Sequence, residues 1–214
     1  MELTESGLNA VAAWHGVRRR DLVQANVLVG PGRRREGRVR RSLLRNFDHT
    51  QGVYDFFVQL AALAARFRRL GWDDELVHWR AAGASTRRWP RPDGYGSYRH
   101  DGQTYGFVLE YDRGTEKPRQ LRRKFASYFD YRDSGRFERD FDGFPTILVV
   151  STTWEAECRV AAAVRAVMRL KGSPLPILLS YDSRIQRESN GLLGPAWRLP
   201  EAELDDRRTW FQEG

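Results

Sequence analysis

Residues 92–116 read PDGYGSYRHDGQTYGFVLEYDRGTE, and the reading of this stretch decides the fold. Asp101-Gly102 is a strong two-residue hairpin signal, because Asp and Gly accept the positive φ angles of a tight turn between twisted strands. The flanking segments, about 92–100 and 103–112, become the two arms. With Asp101-Gly102 as the loop, His100 pairs with Gln103, and counting outward brings Asp93 opposite Glu110. Cβ atoms of such a pair lie about 4.5–5.5 Å apart. Strand residues two apart share a face, so Glu110 and Asp112 point the same way, while Phe107, Leu109 and Tyr111 take the opposite side. Three carboxylates are thereby expected on one side of one hairpin.

Like charges facing each other across strands destabilise a sheet, so the cluster needs compensation. A divalent cation is one source, since Mg²⁺ and Mn²⁺ favour carboxylate and water oxygens. Such an ion polarises a phosphoryl oxygen and activates a water. Arginine is the other source: Arg91 precedes the cluster and Arg113 adjoins it, which would make it a structural ion-pair group. Lys124 follows Leu121 by three residues and precedes Tyr128 by four, at the edge of a helix's buried face. A lysine there either snorkels to solvent or delivers its cation to the reacting water or phosphate. Glu75 is a further carboxylate, for the site or for the surface.

Working outward, residues 53–70 repeat apolar side chains at helical spacing (Val53, Phe56, Phe57, Leu60, Leu63, Ala64, Phe67, Leu70), with Gly71 after them. Asp48 and Gln51 fit a capping box at the start. Residues 75–79 suit a short strand, and residues 81–91 a loop. Pro118 opens a second helix, to about Tyr131, with Leu121, Phe125, Tyr128 and Phe129 inward. The apolar runs at 146–151 and 175–181 read as fully buried strands. Between them, residues 155–170 form a third helix through Val160, Val164, Val167 and Met168. The tail carries Trp197, Trp210 and Phe211, which should dock parts of it. The order predicts a mixed α/β domain with one sheet flanked by helices.

A chain of 214 residues with 41% hydrophobic content can bury a core. No apolar run is long enough to span a bilayer, and no basic-then-apolar signal opens the chain. Cys158 is the single cysteine, which excludes an internal disulfide and agrees with a cytoplasmic setting. Gly94-Tyr95-Gly96 lacks the helix and the Gly-Lys-Ser of a phosphate loop. Ser151 and Ser180 end strands without a nucleophile-elbow pattern. The net charge of +8 suits a polyanionic partner, here DNA. Arg33, Arg34, Arg35, Arg38, Arg40 and Arg41, with Arg87, Arg88 and Arg91, are the candidate phosphate contacts. The alternative is a solvated charged arm, and a GC-rich genome would give the same arginine bias.

Pro92-Asp93 followed by Glu110-x-Asp112 resembles the PD-(D/E)xK nuclease pattern. More closely, His49-Thr50, Pro92-Asp93-Gly94, the run from Phe107 to Glu116, and Lys124 with Tyr128 resemble the replication-relaxation proteins of plasmids and integrated elements. The resemblance covers roughly residues 46–155, with LEYDRGTE its most specific part. It implies a restriction-endonuclease-like mixed sheet over residues 46–214. Residues 1–45 would hold a basic linker and a winged-helix remnant, since Leu3 to Leu8 resemble the end of such a domain. It further implies a role in plasmid or mobile-element replication and DNA relaxation, with Mg²⁺ or Mn²⁺ on Asp93, Glu110 and Asp112. Other proteins of a mobile-element complex are implied as partners. One position departs: Asp112 stands where the pattern has Lys, and Lys124 is the candidate replacement. Without it, the fold would serve as a non-catalytic DNA-binding or assembly module.

Overall fold

The hairpin forms in the expected register. Strand β2 (Gly94–His100) and strand β3 (Gln103–Asp112) pair antiparallel from His100↔Gln103 to Gly94↔Leu109. At the turn, Asp101 and Gly102 both take positive φ, 49° and 73°, as a two-residue loop requires. The structure, a computed structural model, describes residues 47–81, 90–139 and 141–211. The expected first helix, Arg33, Arg34, Arg35, Arg38, Arg40 and Arg41, and Arg87 and Arg88 lie outside the described residues. The chain divides into two units, Met1–Thr50 and Gln51–Gly214, and the site belongs to the second.

Helix α1 (Phe47–Arg69) precedes strand β1 (Glu75–Ala81) and the hairpin. It begins one residue before Asp48, so Asp48 lies in the first turn rather than at the cap position the sequence suggested. After β3 come helix α2 (Pro118–Asp133), strand β4 (Thr146–Ser151), helix α3 (Trp154–Lys171), strand β5 (Ile177–Tyr181) and the short helix α4 (Asp182–Arg187). The five strands lie in chain order. β1, β2 and β3 are antiparallel, whereas β3, β4 and β5 run parallel, joined by the crossovers through α2 and α3. Among the described residues no helix is long and apolar enough to cross a membrane.

Strand alternation divides the core in two. Phe107, Leu109, Leu148, Val150 and Leu178 meet Val53, Phe56, Phe57 and Leu60 of α1 on one face. Val108, Ile147, Val149, Ile177 and Leu179 meet α2 and α3 on the other. Trp197 and Trp210 of the tail are buried on the α1 face, as their size led one to expect. The tail is also held by charge: buried Glu157 of α3 accepts from Arg198 at 3.0 Å and from Arg207 at 2.9 Å. Burying one carboxylate is tolerable because two guanidinium groups saturate it. Helix α3 has clean ends: Thr153 accepts from the Ala156 N–H, and Gly172 closes it in the left-handed conformation.

Candidate functional site

Glu110 and Asp112 follow Val108 on the face of β3 that meets α2 and α3, opposite Phe107 and Leu109. Both are nearly buried, with 2% and 4% of their surface exposed, at the carboxyl end of the strand. Burial of this kind disfavours charge unless partners compensate.

Asp93 sits one residue outside β2, where the ladder stops. Its N–H donates to the Leu109 carbonyl at 2.9 Å, and its Oδ2 accepts the Tyr111 N–H at 2.9 Å. The carboxylate thus takes the place of a strand partner, which pins it beside Glu110.

Helix α2 supplies the rest. Lys124 and Tyr128 are four residues apart, so their side chains stack on one helical face. Both reach Glu110. Lys124 Nζ lies 3.1 Å from Glu110 Oε2, an ion-pair contact rather than an aligned hydrogen bond. The Tyr128 hydroxyl donates to Glu110 Oε1 in a short hydrogen bond. Lys124 also donates to Glu116 Oε1 at 2.5 Å, so it bridges β3 and the loop after it.

The electrostatics follow from this packing. Burial pushes the Glu110 carboxyl up to about 7; Lys124 opposes the rise, Asp93 adds to it, and the Tyr128 hydrogen bond opposes it again. Burial alone would lower Lys124, but Glu110, Glu116 and Asp93 outweigh it and hold the ammonium above its ordinary range. Lys124 therefore stays cationic at neutral pH, while Glu110 is poised to gain or lose its proton there. Burial also raises Asp112, against the Gly114 N–H that donates to its Oδ1 at 3.0 Å. That bond needs the turn at Gly114, whose φ is +73°, and a Cβ there would stand 2.6 Å from Arg159 Nη2.

The structure thus brings Glu110, Asp112 and Lys124 to one end of one sheet face, with Asp93 close enough for its charge to act on Glu110 and Lys124. Among the described residues no three His, Cys, Asp or Glu side chains form a ready ligand group. Asp112 turns one oxygen into its own loop. Glu110 Oε2, Asp112 Oδ2 and Ser151 Oγ are buried without a hydrogen bond. Buried polar atoms are nearly always paired, so this grouping calls for an occupant or a reason.

Of the other residues singled out in the sequence, Arg91 is exposed. Glu75 pairs with Arg99 at 2.6 Å near the hairpin turn, at the far end of β2 from Asp93, so it adds nothing to the site. Glu116 was missed as a site residue. Its only sequence signal is a place within the LEYDRGTE run, and its contact with Lys124 depends on how α2 docks. A separate cavity of about 110 Å³ opens on the α1 face of the sheet, lined by Asp55, Tyr111 and Asp182 among others. There the Tyr111 hydroxyl donates to Asp182 at 2.8 Å.

The sequence model of the replication-relaxation family matches residues 2–147, and the chain belongs to that family. No curated protein and no solved structure matches the chain. The family match starts well before residue 46, where the quoted motifs begin, and takes in Asp93, Glu110, Asp112, Glu116, Lys124 and Tyr128. It stops at Ile147, inside β4, so Ser151 lies beyond it. Membership points to a role in plasmid or mobile-element replication.

Proposed function

We propose that this replication-relaxation protein binds DNA and hydrolyses a phosphodiester bond with Mg²⁺ or Mn²⁺, as a nuclease or nickase of the PD-(D/E)xK type. The observation that carries the reading is the 3.1 Å contact between Lys124 and Glu110. The pattern requires a carboxylate with a cation beside it. Asp112 does not supply the cation from the strand, and Lys124 does so from the following helix. The mixed sheet with helices on both faces agrees with what the nuclease resemblance implies.

The donors suit the ion. Asp93 and Glu110 offer carboxylate oxygens, the ligands that Mg²⁺ and Mn²⁺ prefer, and Glu110 Oε2 is buried without a hydrogen bond. Such an ion, when bound, polarises a phosphoryl oxygen and acidifies a water. The chain's own residues do the rest. The Tyr111 N–H fixes Asp93. Tyr128 holds Glu110 in one orientation. Glu116 keeps Lys124 directed at the site, where its ammonium stabilises the charge that grows on the phosphate oxygens. Arg33, Arg34, Arg35, Arg38, Arg40, Arg41, Arg87, Arg88 and Arg91 would hold the phosphate backbone, and other proteins of a mobile-element complex would supply target choice.

Incubation of the protein with supercoiled plasmid and Mn²⁺ or Mg²⁺ tests this. Nicked or linear product is expected, and it should vanish in Asp93→Ala and Lys124→Ala. Absence of product, or product that survives both changes, sinks the hydrolase reading.

A second reading is favoured by one observation. Lys124 is engaged by two carboxylates, and no three-donor ligand group is ready for an ion. The fold would then be a non-catalytic DNA-binding or assembly module. DNA affinity should fall steeply with salt, and Asp93→Ala should leave it intact. Salt-insensitive binding would count against both readings.

A further inference from the structure

We propose that Ser151 is a site residue: its hydroxyl and the free oxygen of Asp112 hold a second divalent cation beside the one assigned to Asp93 and Glu110. The inference rests on the cation-dependent reading above and extends it onto β4.

Parallel pairing sets Asp112 of β3 directly against Ser151 of β4. Adjacent strands lie about 4.8 Å apart, so side chains on one face at one register are immediate neighbours. Ser151 follows Ile147 and Val149 on the face that meets α2 and α3, the face that Asp112 shares with Val108 and Glu110. Asp112 is 4% exposed and Ser151 0%. Asp112 Oδ1 is used by the Gly114 N–H, whereas Asp112 Oδ2 and Ser151 Oγ have no hydrogen bond. Two unsatisfied oxygens so placed cost stability unless something binds them.

The chemistry of the pair selects a hard cation. A carboxylate and a hydroxyl are oxygen donors, and Mg²⁺ needs only one or two carboxylates because it keeps several waters. The surrounding charge leaves room for it: Asp93, Glu110, Asp112 and Glu116 stand against Lys124, with Arg159 also acting on Asp112. The N-terminus of α3 opposes a cation here, and Glu155 in its first turn offsets that half-charge.

Titration of the full chain with Mn²⁺, counting bound ions, tests the proposal in the wild type, Ser151→Ala, Asp112→Asn and Asp93→Asn. The wild type should bind two ions. Ser151→Ala and Asp112→Asn should each weaken one by about tenfold or more, and Asp93→Asn should weaken the other. Without metal, Ser151→Ala should melt no lower than the wild type, because the hydroxyl it removes is unpaired. One ion, lost in Asp93→Asn and untouched by Ser151→Ala, overturns the second position and leaves the hydrolase reading standing; the two oxygens then share an ordered water. One ion, lost in Ser151→Ala and Asp112→Asn but kept in Asp93→Asn, supports the proposal and removes the ion from the Asp93 and Glu110 position. No bound ion overturns both. A lower metal-free melting temperature for Ser151→Ala, with metal binding unchanged, assigns the hydroxyl to a hydrogen bond and refutes the proposal.

Discussion

Replacing Lys124 by Met removes the cation nearest Glu110 while keeping the length and apolar stem of the side chain. The cost must depend on pH. Glu110 has its folded-state carboxyl raised to about 7 from an ordinary 4.5, with burial as the main cause and Lys124 restraining the rise. For a group raised on folding, stability is fully present below the unfolded value and is lost as pH climbs through the folded one. In the wild type that loss runs between 4.5 and about 7 and then stops, because Glu110 is ionised beside Lys124. Without Lys124 the carboxyl rises further, so the loss continues above pH 7. Each further pH unit adds about 1.4 kcal/mol, so the variant should be roughly 3 kcal/mol less stable than the wild type at about pH 9. That agrees with the 3–5 kcal/mol or so that breaking a buried pair costs. At about pH 5.5 Glu110 keeps its proton in both proteins for the most part. There the difference should shrink to the loss of the partly exposed Glu116 contact, about 1 kcal/mol or less. Urea unfolding of both proteins across this range measures it. A difference that does not change with pH would refute the coupling of Lys124 to a poised Glu110, and with it the electrostatic account of the site.

Tyr128→Phe leaves Glu110 Oε1 buried without its donor; it should cost about 1–3 kcal/mol above pH 7 and less in acid, read by the same unfolding series. Asp93→Asn keeps the oxygen that accepts from Tyr111 and removes a charge that raises Glu110, so metal-free melting should rise slightly at pH 8. The same variant should lose most of the stabilisation Mn²⁺ gives the wild type, about 2.7 kcal/mol at one hundred times its dissociation constant. A Mn²⁺-induced shift equal in both proteins would remove Asp93 from the ligand set. In the wild type that shift should grow as pH rises through about 7, because a carboxylate must shed its proton to bind metal; a pH-independent shift would exclude Glu110 as a ligand. Gly114→Ala places a Cβ against Arg159 at a φ of +73° and should cost about 1–3 kcal/mol in thermal unfolding, whereas a neutral result would contradict the turn that holds Asp112.

Much of this molecule is written locally in the chain. Asp101-Gly102 sets the hairpin, and the strict period of two then decides that Glu110 and Asp112 share a face with Val108 while Leu109 and Tyr111 do not. Helical periodicity marks α1, α2 and α3 to within a few residues, because each must bury one stripe. The short helix α4 and the turn Gly191–Leu193 carry no such stripe and were not expected. Counting outward from the turn places Asp93 opposite Glu110. What the count cannot foresee is that the ladder stops at Gly94↔Leu109, after which the Asp93 side chain takes over the Tyr111 N–H.

The sequence by itself determined the hairpin register, the buried parallel strands, and the presence of acidic side chains on one sheet face with a lysine and a tyrosine one helical turn apart nearby. Turn chemistry and the strand and helix periods act over a few residues, so they can be read without knowing what packs against what. Only the tertiary structure decided that Lys124 and Tyr128 both land on Glu110, that Glu116 restrains Lys124, and that Ser151 stands beside Asp112. Those meetings depend on the rotation and shift of α2 over the sheet and on the parallel register of β3 and β4. A crossover helix leaves that register open, and the packing of Phe125, Phe129, Val149 and Val160 on the shared face closes it.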